Sequence, residues 1–109
     1  MPNTIHFLFC LHNHQPEGNF EHVFEEAYQK AYRPMLETIE RHPGIRLAQH
    51  FSGILLEWID NKHPDFWDRY RTLVETGRVE FLTGGYFEPI LPSIPDRDKL
   101  GQIAKLTDT

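Results

Sequence analysis

Two histidines flank an asparagine in the segment His12-Asn13-His14-Gln15-Pro16. Residues two apart in extended chain point the same way, so His12 and His14 share a side. Two imidazoles on one side can ligate a metal ion, or they can donate hydrogen bonds to a polar ligand. The plain alternative is a pair of surface histidines in a loop. Glu80 stands between Val79 and Phe81. A carboxylate in a buried strand is costly unless something pairs with it; an edge strand that exposes Glu80 to water is the other reading. The loop Gly84-Gly85-Tyr86-Phe87-Glu88-Pro89 sets two aromatics and a carboxylate beside two glycines. Glycines permit close backbone approach. Aromatic rings can stack on the apolar face of a sugar while a carboxylate accepts from its hydroxyls. An ordinary turn before a helix would use the same residues. His50 either joins this rim or is a hydrogen-bonded core histidine.

Positioning these groups requires regular elements, and the apolar periodicities outline them. Ile5 to Leu11 is an apolar run broken only by His6, and it predicts a strand buried on both faces, as in a parallel sheet. Ile5, Phe7, Phe9 and Leu11 fall on one side; His6, Leu8, Cys10, His12 and His14 fall on the other. From Phe20 the period is helical, through Val23, Phe24, Ala27, Tyr28 and Ala31. Pro34 kinks that helix or starts a second one, and the stripe continues through Met35, Leu36 and Ile39. Ile45 to Phe51 is a second expected strand. A short helix follows with Ile54, Leu55, Trp58 and Ile59. The next carries Phe66, Trp67, Tyr70, Leu73 and Val74, with Pro64 at its first position and Gly77 at its stop. Trp58 and Trp67 lie on these stripes and read as core. Arg78 to Thr83 is a third expected strand, and Asp96 is expected to cap a last helix carrying Leu100, Ile103 and Ala104.

Strands alternating with helices imply a parallel sheet with right-handed crossovers, an α/β fold. A closed β/α barrel needs about 250 residues, so 109 residues supply less than half of one. The chain is a small open α/β domain or a piece of a barrel, and the last helix, which lacks a stop signal, favours a piece. Each of the three expected strands is followed by polar, hydrogen-bonding residues, where parallel folds place their active sites.

The net charge of −5 argues against a nucleic-acid binder, since no basic run could track phosphates. No segment approaches the roughly 20 apolar residues of a membrane span, so no membrane partner is expected. The lone cysteine, Cys10, lies among apolar residues and reads as a buried thiol in a reducing compartment. Together with the lack of a signal-peptide pattern at the N-terminus, this gives a soluble, cytoplasmic expectation.

Longer segments bear a resemblance. Leu11-His12-Asn13-His14-Gln15-Pro16-Glu17-Gly18-Asn19-Phe20 resembles the His-Gln-Pro region that opens family-57 glycoside hydrolases. His50-Phe51-Ser52-Gly53-Ile54-Leu55-Leu56-Glu57-Trp58 is similar to the segment after their second strand. Gly77-Arg78-Val79-Glu80-Phe81-Leu82, followed by Gly84-Gly85-Tyr86-Phe87-Glu88-Pro89-Ile90-Leu91, is similar to their second signature region. These segments span almost the whole chain, keep the family's order, and lie nearest its 4-α-glucanotransferase and α-amylase branch. The resemblance implies an incomplete barrel of seven β/α units. Residues 1–109 would be its first three units, the N-terminal part of the catalytic domain.

Members of that family cleave or transfer α-1,4-glucan chains with retention. The resemblance therefore implies an α-glucan or maltooligosaccharide ligand, with His12, His14 and Glu80 binding the sugar at the cleavage point and Gln15 and Glu88 in support. Retention uses two carboxyl groups about 5–5.5 Å apart. The family's nucleophilic Glu follows the fourth strand and its Asp acid/base comes later still. Both are expected beyond Thr109, and neither Glu80 nor Glu88 takes their place. The family needs neither a metal nor another cofactor for this chemistry, so the histidines read as sugar-binding.

Two other readings compete. An amidohydrolase-like barrel also starts a metal site with His-x-His after its first strand, and would need further ligands, for which only His50 is offered. A non-enzymatic, self-associating piece is the third reading, because three barrel strands leave sheet edges and half a core bare.

Overall fold

The aromatic side chains that the helical periodicities single out converge on one strand residue. Phe51 meets Phe66, Trp67 and Tyr70 edge to face, at ring-centroid separations of 6.1, 5.0 and 5.9 Å. This geometry suits the ring quadrupoles. In the computed structural model, which describes residues 2–109, that cluster is the centre of the core. Leu36, Ile39, Leu55, Ile59 and Val79 are among the buried side chains packed with it.

Three parallel strands form one sheet in the order β1-β2-β3. They are β1 (Cys10–Asn13), β2 (Leu47–Phe51) and β3 (Val79–Phe81). The helices are α1 (Glu21–Ala27), α2 (Arg33–Arg41), α3 (Gly53–Lys62), α4 (Asp65–Glu75) and α5 (Asp96–Asp108). In β2, Leu47, Gln49 and Phe51 are buried against helices, while Ala48 and His50 face the other way. The register sets Cys10 beside Ala48 and His12 beside His50 on that second face. It sets Glu80 beside Ala48 from β3. The parity expected for Leu11 against His12 therefore holds: Leu11 packs on the core and His12 faces away from it.

The expected α/β fold and parallel sheet are present, and several boundaries differ. The first strand was expected over Ile5 to Leu11, buried on both faces, but β1 begins only at Cys10 and runs on to Asn13. Ile5, Phe7 and Leu8 are 90%, 84% and 92% exposed. β1 is an edge strand whose neighbour starts opposite its first residues, so the chain before Phe9 has nothing to pair with. Cys10, expected to be buried, is paired with Ala48 but lies on the uncovered second face of the sheet and is exposed. An apolar run is buried only where another surface covers it. The second and third strands lose one or two residues at their ends, as strand termini usually do.

Pro34 shapes the long helical stretch. It has no N–H for the carbonyl of Lys30, and the helix widens just before it into a π-helical turn over Tyr28–Tyr32. There Arg33 N donates to Tyr28 O, five residues back. The wide turn buries both Tyr28 and Tyr32. Trp58 and Trp67 pack on the core from α3 and α4, as expected, each with its indole N–H satisfied, by Glu21 and by the Leu56 carbonyl. Gly77 ends α4 with φ 71°, which a glycine adopts without strain. Asp96 was expected to cap α5, but Pro95 holds the cap position. Asp96 is the first helical residue, with its carboxylate on Lys99 Nζ at 2.8 Å. Among the described residues, no helix is long and apolar enough to cross a membrane.

Candidate functional site

The floor of the site is the second face of the sheet at the carboxyl ends of β1 and β2. A buried polar chain fixes it from beneath. Gln49 is fully buried on the core face of β2. It donates to Tyr70 Oη at 3.0 Å and accepts from Asn13 Nδ2 at 2.8 Å. Asn13 Nδ2 also reaches His50 O at 3.1 Å. A buried amide must be hydrogen-bonded, and these bonds lock the end of β1 to β2. Since Asn13 points inward, its neighbour His12 is turned outward.

The His12 and His50 rings are nearly parallel, with planes 13° apart and Nδ1 atoms separated by 2.9 Å. In a hydrogen bond at this distance one Nδ1 donates and the other accepts, with the roles set by the protonation of the two rings. Burial pushes the His50 pKa down; Glu88 opposes this while His12 and His14 add to it. His50 is therefore held neutral around pH 7. Gly84 backs onto this ring so closely that an added Cβ would sit 3.0 Å from His50 Nε2.

Glu88 closes the cluster from the loop after β3. Its Oε2 lies 3.3 Å from His12 Nε2 and its Oε1 3.5 Å from His50 Nδ1. Its backbone sits at φ 56°, a left-handed conformation unusual for a residue with a Cβ. Oε1 is buried and accepts no hydrogen bond. The loop is anchored two residues earlier. Tyr86 is 3% exposed, its carbonyl accepts from Gly53 N at 2.9 Å, and its hydroxyl donates to Glu57. Gln102 of α5 holds the Phe87 N–H at 2.8 Å.

The other expected residues take different places. The His14 ring is 6.2 Å from that of His12, and its Nδ1 is buried without a partner. Gln15 has both amide ends committed, donating to Tyr32 Oη at 3.1 Å and accepting from Asn19 at 3.0 Å. Tyr32 in turn donates to the His14 carbonyl at 3.4 Å. The π-helical turn thus shapes the His14 turn. Glu80 is exposed on β3, so the buried, costly carboxylate expected from its neighbours is not there. Strand β3 is a sheet edge, and water solvates the group. Glu80 shares the open face with His12, His14 and His50 but lies two residues back along the sheet, about 6–7 Å from the His row. Among the described residues, no hydrogen bond or ion pair joins Glu80 to them.

The structure therefore gathers His12, His50 and Glu88, sets His14 beside them, and leaves Glu80 apart. Sequence reasoning did not name Gln49, Tyr70, Tyr32, Glu57 or Gln102 as supports. Gln49 carried a signal: a glutamine at a core-facing position of a strand requires partners. The cluster offers acceptors and donors for a polyhydroxylated ligand. It also offers three ligand atoms, one from each of His12, His50 and Glu88, all within 4.8 Å of one another.

The family model described as glycosyl hydrolase family 57 matches residues 8–109. The chain is 50% identical over 104 residues to an α-amylase of Pyrococcus abyssi, covering 95% of this chain and 16% of that protein. It is 45% identical over 106 residues to α-amylase 1 of Dictyoglomus thermophilum, covering 97% of this chain and 16% of that protein. The crystal structure of 4-α-glucanotransferase from Thermococcus litoralis superposes with a TM-score of 0.90 at 48% identity, covering 93% of this chain and 16% of that one. The chain thus spans 16% of the length of these relatives.

Proposed function

This chain belongs to glycosyl hydrolase family 57, and from that premise we propose that it supplies the N-terminal part of the sugar-binding floor of an enzyme acting on α-1,4-glucans. The observation that carries the reading is the convergence of His12, His50 and Glu88 where parallel strands end. In this reading His12, His14 and Glu88 hydrogen-bond sugar hydroxyls. Gln15 shapes the His14 turn. Glu80 meets the sugar further along the open face. The nucleophile and acid/base of the retaining reaction lie outside residues 1–109, which form part of the catalytic β/α barrel domain. The names of the relatives, α-amylase and 4-α-glucanotransferase, support the glucan. A lone free cysteine suits a reducing, cytoplasmic setting.

Titration with maltotriose, followed by backbone amide shifts, tests the floor. Weak, millimolar binding is expected, with shifts centred on residues 12–15, 50 and 88. A charged hydrogen bond contributes about 1.5–3 kcal/mol, so Glu88→Gln should weaken binding by roughly tenfold or more. The same chain should show no maltooligosaccharide turnover. Shifts absent from these residues at saturating sugar would refute the floor. Turnover abolished by Glu80→Gln would make Glu80 a catalyst.

An amidohydrolase-like metal site built on His12 and His14 has less support, because the ligand atoms that converge come from His50 and Glu88 rather than His14. Self-association remains part of the proposal. Both β1 and β3 are open edges, and Ile5, Phe7 and Leu8 are bare beside β1. Light scattering should give a mass above the 12.9 kDa of one chain, rising with concentration. A constant 12.9 kDa species would contradict it.

A further inference from the structure

We propose that His12, His50 and Glu88 form a binding site for a divalent transition metal of the zinc type. The three side chains lie close enough for a small adjustment to bring one atom of each onto a common ion. A tetrahedral zinc ion with bonds of about 2.0–2.1 Å holds its ligand atoms roughly 3.3–3.4 Å apart. The closest approaches here are 2.9 Å between the Nδ1 atoms of His12 and His50, 3.3 Å between His12 Nε2 and Glu88 Oε2, and 3.5 Å between His50 Nδ1 and Glu88 Oε1; one ligand atom taken from each residue lies within 4.8 Å of the other two. His12 is the exposed member, so its ring can turn to present a single nitrogen to the ion. Two imidazoles and one carboxylate favour zinc and its neighbours over calcium or magnesium, which prefer oxygen cages.

Two further observations point to a ligand. Glu88 Oε1 is buried with no hydrogen bond, a carboxylate oxygen left available for a cation. Glu88 also holds a left-handed backbone, a cost that persists only when surroundings impose it, and that conformation accompanies its carboxylate's approach to the two histidines. The site is preformed on two strand ends and a loop anchored by Tyr86. The proposal does not rest on glucan binding. If both hold, zinc and sugar compete for the same atoms of His12 and Glu88.

The test is calorimetric titration of the chelator-treated chain with zinc chloride, and of a second sample with cobalt chloride read by its visible absorption. One equivalent of zinc should bind, and cobalt should show the strong bands of four-coordinate geometry. His12→Ala, His50→Ala and Glu88→Gln should each raise the zinc Kd by at least the roughly 10–100-fold that even outer-shell changes cost. His22→Ala, at an exposed histidine elsewhere, should leave it unchanged. His12→Ala alters an exposed side chain, so its loss of binding cannot be ascribed to unfolding. Absence of saturable one-to-one binding overturns the site. So does a loss that follows His12 and His14 but spares His50 and Glu88, which would mark the His-x-His pair instead.

Discussion

Gly53→Ala is expected to destabilise the chain by about 1–3 kcal/mol, the usual cost of forcing an extra carbon into a packed site, and to disable the cluster from a distance. Gly53 opens α3, and the Tyr86 ring lies directly on it. A Cβ there would fall 2.1 Å from Tyr86 Cδ2, a separation that real Cβ atoms do not tolerate. The Tyr86 ring is 3% exposed, so it has little room to retreat. Displacing it also breaks the 2.9 Å bond from Gly53 N to Tyr86 O. Glu88 follows two residues later and must move with it. Urea unfolding should show the lower stability, and hydrogen exchange at the residue 53 amide should speed up. Zinc and maltotriose affinity should fall as they do in Glu88→Gln. Unchanged stability together with an equally protected amide would mean that Tyr86 does not anchor the loop.

Phe66→Ala is expected to have the largest effect on folding. Phe66 has no exposed surface and touches Tyr28, Trp67 and Tyr70 at centroid distances of 5.6, 4.9 and 5.0 Å, besides Phe51. Truncating a buried Phe to Ala costs about 3–5 kcal/mol. Small domains are stable by about 5–15 kcal/mol in total, and a sheet with one bare face belongs at the low end. The variant should lose most of its cooperative urea transition and its near-ultraviolet dichroism. Phe20→Ala is the matched comparison. Phe20 is 71% exposed, and its loss should change stability by no more than about 0.5 kcal/mol. Equal midpoints for the two variants would place the core elsewhere.

Much of the fold was legible along the chain. Stripes such as Phe66, Tyr70 and Leu73 repeat at helical spacing, and all three are buried on α4. The alternation of Leu11 and His12 assigned each to its correct face. Such patterns are local, so a sequence displays them. The run Ile5 to Phe9 misled because hydrophobicity reports a demand for burial and cannot say whether a neighbour meets it. Glu80 misled in the opposite sense: flanking apolar residues suggested burial, but a strand at a sheet edge gives its side chain to water. Gln49 gained its meaning only with Asn13 and Tyr70 around it.

The His12-Asn13-His14 segment and the Gly84–Pro89 loop were recognisable by residue type and by their place after strands. The sequence by itself determined that these polar groups occur at strand ends of an alternating β/α chain, because periodicity and parity depend only on neighbours a few residues apart. Tertiary structure alone decided which of them meet. His12 and His50 are 38 residues apart, and they touch because the parallel register sets them side by side. Glu88 joins them because Tyr86, seated on Gly53, aims its loop there. His14 and Glu80 remain outside the triad on the same grounds. A distance across space is the sum of strand register, crossover and loop closure, and no local spacing encodes that sum.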